Sequence, residues 1–272
     1  MVDSVVEKNR YYRIRLEGAD HWARAAEPET DHLLPVDEQL ELLSGDPVAG
    51  GAPTSRTVAR ADGELLVPCT PTKIIGVARN FAAHAAERER AIPPEPLIFL
   101  KPLTSMTVSG APIVHPPACK LLNYEGEMAV VIGRGGHAIP QRDAMNHVWG
   151  YTVINDVTAR DIQNREENFV RAKGYDTFAP IGPCVATGLD PALMVVETHV
   201  NGELQQHGTI AELVHPISKL IAFISEIMTL LPGDLIATGT PKGMIPINPG
   251  DVVDVSVTGI GRISNLVVAP TS

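Results

Sequence analysis

The stretch YEGEMAVVIG, residues 124–133, limits the possible folds of this chain more than any other segment. Residues two apart share one face of a strand. Ala129 and Val131 therefore lie on one side and Met128, Val130 and Ile132 on the other. A strand apolar on both faces needs cover on both, so it belongs inside a layered sheet. The same period puts Glu125 and Glu127 on one face at the mouth of that strand. Two carboxylates there repel each other and lose hydration, and cations or protonation must relieve them. A hard divalent metal would relieve both.

A third acid follows in GYTVINDVTARD, where Asp156 ends an apolar strand. Together the three acids make an all-oxygen ligand set of the kind that Mg²⁺, Mn²⁺ or Ca²⁺ prefers over Zn²⁺, with positions left for water or substrate. Taken singly, each feature also has a plainer reading. Glu-x-Glu suits a solvated edge strand, and Asp156 suits a helix cap.

The rest of the chain is consistent with many short strands. It contains 23 Gly, 23 Pro and few aromatics, which favours tight turns over a helical bundle. Residues 1–70 form a small β-rich unit in which YYRIRLEG alternates, LLPVDEQLELL follows, and SGDPVAGGAPTS links onward. From residue 71 to 272 a larger unit begins. Its first strand is Lys73 to Val77, and Asn80 is placed to cap the helical segment FAAHAAERERA. Val195 to Gln206 is a hairpin turning at Asn201-Gly202. Pro216 to Leu231 is the clearest helix, with Ile217, Leu220, Ile221, Ile224, Ile227, Met228 and Leu231 on one face and Pro232-Gly233 as its stop. The fold class expected is a mixed, β-rich α+β protein with a twisted, partly closed sheet.

A formal net charge of −10 without a clustered basic tract argues against nucleic acid or anionic membrane as partner. Cys69, Cys119 and Cys184 are odd in number and far apart, so neither a disulfide framework nor a zinc knuckle is suggested. The first residues lack a signal-peptide pattern, and the apolar run Ile217 to Leu231 is too short to span a bilayer. A cytoplasmic protein is expected.

With the acids placed, the sequence resembles the fumarylacetoacetate hydrolase family from about Pro71 to Val268. The resemblance is carried by KIIGVARNFAAHAAE, PLIFLKP, NYEGEMAVVIGRGG, GYTVINDVTARDIQ, KGYDTFAPIGPCV, VNGELQQHG, PGDLIATGTPKG and PGDVVDVSVTGIG, in that order. It implies a β-sandwich roll around Mg²⁺ or Mn²⁺, a small amino-terminal domain of the kind many bacterial members add, and a homodimer. By position it implies Glu125, Glu127 and Asp156 as metal ligands. His84 and Glu87 match a water-activating pair on a lid helix, and Lys173 matches an active-site lysine. Arg79, Asn80, Gln163 and Thr240 fall where relatives contact substrate. One departure is Asn123, where many members with the isomerase-type motif carry Asp.

The chemistry is coherent without the resemblance. A 2-oxo acid bound by its carboxylate and keto oxygen can leave C3–C4 cleavage as a metal-bound enolate. For a 2,4-dioxo acid of the acylpyruvate or fumarylacetoacetate type, water must also attack C4. His84 and Glu87, three apart and so neighbours on one helix face, would supply the base. The first expectation is hydrolytic C–C cleavage. A 2-hydroxyhepta-2,4-diene-1,7-dioate isomerase or oxaloacetate-type decarboxylase of aromatic catabolism is the alternative on the same site, and a non-catalytic metal- or ligand-binding relative is the third reading.

Overall fold

The computed structural model describes residues 8–25 and 38–270. The amino-terminal start and the opening of the LLPVDEQLELL run lie outside the described residues. The protein is mostly β, with an amino-terminal meander followed by a roll of two packed sheets.

The meander comprises β1 (Asn9–Leu16), β2 (Ala19–Ala25), β3 (Gln39–Leu43) and β4 (Pro53–Ala59). The alternation seen in the sequence is physical: Tyr12, Ile14 and Leu16 are buried, while the residues between them reach solvent. Glu17 and Gly18 both take positive φ, 50° and 83°, which gives the tight turn that matches strand twist. Further strands follow as β5 (Ile74–Ala78), β6 (Leu97–Lys101), β7 (Gly126–Ile132), β8 (Val148–Asn155), β9 (Ala179–Thr187), β10 (Val195–Val200), β11 (Glu203–Thr209), β12 (Leu235–Ala237), β13 (Val252–Val257) and β14 (Gly261–Val268).

The main sheet runs β4-β3-β2-β1-β9-β8-β7-β12-β5-β6, and β1 joins it by antiparallel pairing of Asn9 to Tyr11 with Thr187 to Val185. A second sheet runs β11-β10-β13-β14 and ends on the short strand Ile113–Val114. It packs across β7, β8 and β9. β7 is buried along its whole length, with Met128, Val130 and Ile132 in the core between the sheets and Ala129 and Val131 in a second core behind. These are the two faces expected from sequence. The β10–β11 hairpin turns at Asn201 and Gly202 with φ of 53° and 85°.

The helices are short: α1 (Ala82–Glu87), α2 (Arg160–Arg165), α3 (Val170–Lys173) and α4 (Ile217–Ile227). The α4 stripe is real at Ile217, Leu220, Ile221 and Ile224, but the helix stops four residues before the expected Leu231. Met228 is extended, and Ile227 and Leu231 are exposed rather than in the core. Leu230 instead exchanges both backbone hydrogen bonds with Gly136, which ends the helix before Pro232-Gly233 can. Among the described residues no helix is long and apolar enough to cross a membrane, and the three cysteines are free and buried.

Candidate active site

The start of β7 carries two of the three acids. Glu125 immediately precedes it and Glu127 is its second residue, while Asp156 follows β8, which pairs with β7 in register Gly126 to Asn155. The register brings one ligand oxygen from each of the three acids within 4.8 Å of the others, all three side chains being buried. Asp156 is no helix cap: α2 starts four residues later behind Ala159, and the aspartate is taken by cations. Gly126 separates the glutamates for a steric reason. A Cβ there would lie 2.1 Å from Thr198 Oγ1 on the second sheet.

Cations hold the acids apart. Lys173 Nζ donates to Glu125 Oε2 at 2.8 Å and also to Asp156 Oδ2. Arg160 donates through Nη2 to Glu125 Oε1, and Lys101 Nζ donates to Asp156 Oδ1 at 2.7 Å. Burial alone would raise the Glu125 carboxyl, but Lys173 and Arg160 hold it below the ordinary carboxylate range. Among the described residues Glu127 has no such ion pair. Burial, then the charges of Asp156 and Glu125, push it well above that range, against a smaller opposing pull from Lys173, and it accepts the Gly239 amide at 2.7 Å. Crowded oxygens with one carboxyl forced towards its neutral form suit a bound dication, which would remove the repulsion and keep all three ionised. The residues present therefore fit Mg²⁺ or Mn²⁺.

Lys101 and Arg160 were not expected at the site. Lys101 is buried and also donates to the Lys173 carbonyl at 2.7 Å, so it ties two site residues together. Its signal was an isolated cation closing the apolar run PLIFLKP. Arg160 is oriented by Asn123, whose side-chain oxygen accepts from Nε at 3.1 Å. The sequence departure at Asn123 thus bears on this arginine and not on a metal ligand. An aspartate there would make an ion pair of what is now a neutral hydrogen bond.

The cavity above the acids encloses about 630 Å³, counting solvent at its mouth. Glu125, Glu127 and Lys173 line its floor, and Arg79, His84, Gln163 and Thr240 line its walls. Thr240 donates to the Gly126 carbonyl and accepts from Gln206 Nε2, both at 2.9 Å, and Gln163 accepts from Arg160 Nη1. Phe99 lies under Lys173, its ring centroid 4.9 Å from Nζ, and meets Phe169 edge to face. Gly76 makes room for Phe99, since a Cβ there would sit 2.2 Å from the ring.

Asn80 lies elsewhere. It is buried outside the cavity lining, donating to the carbonyls of His215 and Thr238 and accepting from the His215 amide, so its polar atoms join two loops. Nor does it cap α1, whose first turn follows Phe81 without a side-chain cap. The residue types favoured at caps are also those that tie loops together, and the sequence does not separate the two uses. His84 is buried, which lowers its imidazole pKa. Among the described residues its Nδ1 has no hydrogen-bond partner, and it stands 3.7 Å from Glu87 Oε2. Glu87 itself is outside the cavity lining and accepts the Gly243 amide at 3.1 Å, docking α1 on the TPKG loop.

α1 closes with Glu89 N donating to Ala86 O at 3.0 Å and Arg90 N to Ala85 O at 2.9 Å, a Schellman closure in which Glu89 takes φ of 50°. A side chain in that conformation is strained where glycine is not. Glu89→Gly is expected to stabilise the protein by about 0.5–1 kcal/mol, read as a higher urea midpoint at unchanged slope.

The fumarylacetoacetate (FAA) hydrolase C-terminal domain matches residues 73–268, and an Rv2993c-like N-terminal domain matches residues 9–68. The chain belongs to the fumarylacetoacetate hydrolase family. It is 41% identical over 212 residues to the oxaloacetate tautomerase YisK of Bacillus subtilis, covering 73% of this chain and 70% of that one. The crystal structure of 2-hydroxyhepta-2,4-diene-1,7-dioate isomerase from Mycobacterium marinum superposes with a TM-score of 0.88 at 37% identity, covering 97% of this chain and 99% of that one. Fumarylpyruvate hydrolase from Pseudomonas aeruginosa, solved with Mn²⁺ and pyruvate, superposes with a TM-score of 0.71 at 30% identity, covering 80% and 93%. Named relatives in the family are thus enzymes, with isomerase, tautomerase and hydrolase activities among them.

Proposed function

We propose that the protein is a divalent-metal-dependent enzyme that binds a small 2-oxo acid by its head group and hydrolyses the C3–C4 bond of a 2,4-dioxo acid. The observation that carries this reading is the convergence of three buried carboxylates and three buried cations, of which Glu125, Glu127, Lys173 and Arg160 line one cavity. Glu125, Glu127 and Asp156 would hold Mg²⁺ or Mn²⁺, which when bound supplies a Lewis acid for negative charge growing on the 2-oxo oxygen.

The chain's own groups do the rest. Lys173 faces the cavity and adds fixed positive charge beside the substrate head, while Lys101 and Arg160 keep Asp156 and Glu125 in place. Burial keeps His84 neutral, the form a general base needs. It takes a proton from water as the oxygen adds to C4. The C3–C4 bond then breaks with its electron pair on the pyruvate fragment, whose enolate takes up at C3 the proton that His84 removed from water, and the acyl half leaves as a carboxylic acid.

A second reading, isomerisation or keto–enol tautomerisation, uses the same head-group site without attack by water. It is favoured by the 3.7 Å separation of His84 from Glu87, which is too long for a hydrogen-bonded dyad, and by the engagement of Glu87 with Gly243. The likeness to the tautomerase and the isomerase supports it too.

One assay separates them: acetylpyruvate is followed by its enol absorbance in metal-stripped protein, before and after Mn²⁺, with Glu125→Ala as control. Hydrolysis predicts pyruvate and acetate in equal amounts only with metal, and a loss of at least about 100-fold in His84→Gln. Loss of enol absorbance without acetate selects the second reading. Wild-type protein that neither binds Mn²⁺ nor acts on acetylpyruvate or oxaloacetate overturns both.

A further inference from the structure

β7 loses a sheet neighbour as it approaches the acids. Among the described residues β12 pairs with it from Ala129 to Val131 and no further, so the backbone groups before Ala129 need other partners on that side. Thr238 serves Met128, whose carbonyl accepts from its N–H at 3.1 Å and from its hydroxyl at 2.8 Å. Gly126, the residue between Glu125 and Glu127, is served by a side chain of the other sheet. Gln206 Oε1, on β11, accepts the Gly126 N–H at 3.1 Å. Gln206 Nε2 donates to Thr240 Oγ1, and Thr240 Oγ1 donates to the Gly126 carbonyl, both at 2.9 Å. The three bonds close a ring on the N–H and C=O of one residue.

A side-chain amide carries the same donor and acceptor types as a peptide unit, so Gln206 stands in for the strand that is missing there. Its orientation is set by groups that cannot reverse roles. The Gly126 N–H can only donate, and the Pro241 carbonyl, which takes the other Nε2 hydrogen at 2.7 Å, can only accept. Oε1 also accepts from Thr198 Oγ1 at 2.9 Å, which fills the fourth place on the amide. Gln206 and Thr198 are fully buried, and Gln206 is outside the cavity lining. The amide therefore has nothing left to offer a substrate, and its whole capacity is spent on holding the chain.

We propose that Gln206 is a positioning residue for the metal centre. It fixes the peptide groups from which Glu125 and Glu127 project, directly at the Gly126 N–H and through Thr240 at the Gly126 carbonyl. Metal affinity then depends on a side chain whose hydrogen bonds go to none of the three acids. The bond to Pro241 extends the same anchor to the loop whose Gly243 amide receives Glu87 of α1. This assignment rests on the metal reading of the three acids and is independent of which reaction they serve.

The test is a double-mutant cycle on metal-stripped protein: wild type, Gln206→Met, Thr240→Val and the two combined are titrated with Mn²⁺ by calorimetry, with melting curves to verify folding. Asn265→Leu is the control for general destabilisation. It lies on β14 of the same sheet and outside the cavity lining, and it removes a buried amide that donates to the carbonyls of Val108 and Ala111 at 2.8 Å. Gln206→Met, which fills much the same volume, is expected to weaken Mn²⁺ binding about 10- to 100-fold, while Asn265→Leu stays within about twofold of wild type. The combined variant is expected to lose less than the product of the two single losses, because either change alone already opens the ring. A folded Gln206→Met protein with wild-type affinity overturns the proposal, and so does an equal loss in Asn265→Leu. Losses that simply multiply overturn the route through Thr240. If Gln206→Met fails to fold, Thr240→Val opens the ring from its other side and is judged by the same thresholds. Wild-type protein that binds no Mn²⁺ overturns the metal reading itself, and this assignment with it.

Discussion

Lys101→Met is expected to lower stability by about 3–5 kcal/mol, the usual cost of removing one partner from a buried ion pair. The lysine side chain is fully enclosed. Its ammonium holds Asp156 Oδ1 and the Lys173 carbonyl, both at 2.7 Å. Methionine keeps most of the stem volume, so little of the loss is packing. What remains is an aspartate short of one cation and a carbonyl without its donor. Urea unfolding with and without Mn²⁺ is the measurement. The metal is expected to restore part of the loss, because a dication beside Asp156 takes over the neutralisation and binds only the folded protein. A variant that melts within a degree or two of wild type in metal-free buffer would show that Lys101 merely fills space.

The same residue shows where sequence legibility stops. Strand periodicity was enough to place Glu125 and Glu127 together and to divide Met128, Val130 and Ile132 from Ala129 and Val131, because alternation is a local property of one strand. The hairpin at Asn201-Gly202 was legible for the same reason. That Asp156 meets the glutamates depends on the register of β7 against β8, which spacing along the chain does not encode. Lys101 ends β6, separated from β8 by three strands in the sheet order, and meets Asp156 only through the tertiary fold, so nothing near it in sequence announces an acid partner. Asn80 failed in the opposite direction. A residue type with a strong local use was taken up by a tertiary one, and its side chain joins His215 to Thr238. The end of α4 was misplaced because the apolar period continues through Ile227 and Met228 after Leu230 has paired with Gly136.

Gly126→Ala is expected to destabilise the protein by about 1–3 kcal/mol through overpacking and to weaken Mn²⁺ binding in parallel. The added methyl would fall 2.1 Å from Thr198 Oγ1 and 3.0 Å from Val255 Cγ1, so the second sheet must retreat from β7 or β7 must bow away from it. Either shift moves the backbone that carries Glu125 and Glu127. Thr198 also donates to Gln206 Oε1 at 2.9 Å, and that oxygen accepts the Gly126 amide at 3.1 Å, so the clash strikes a connected group of hydrogen bonds. A matched variant separates space from chemistry: Gly126→Ala combined with Thr198→Ala should recover part of the stability, since the nearest obstructing atom is gone. Calorimetric titration of Mn²⁺ and urea midpoints on both proteins measure the two effects. Unaltered metal affinity in Gly126→Ala would mean that the glutamates tolerate displacement of the strand between them.

The amino-terminal meander has a role that reaches beyond its own fold. Through Asn9 to Tyr11, β1 occupies the rim of β9, and the Arg10–Glu38 and Tyr12–Glu38 contacts tie β1 to the residue that precedes β3. Without β1, the open hydrogen-bonding groups of β9 would be available to any extended chain, another copy of this protein included. β9 is also the neighbour of β8, whose end delivers Asp156. The first strands therefore cap one flank of the sheet that carries the three acids, so that β9 presents no open edge.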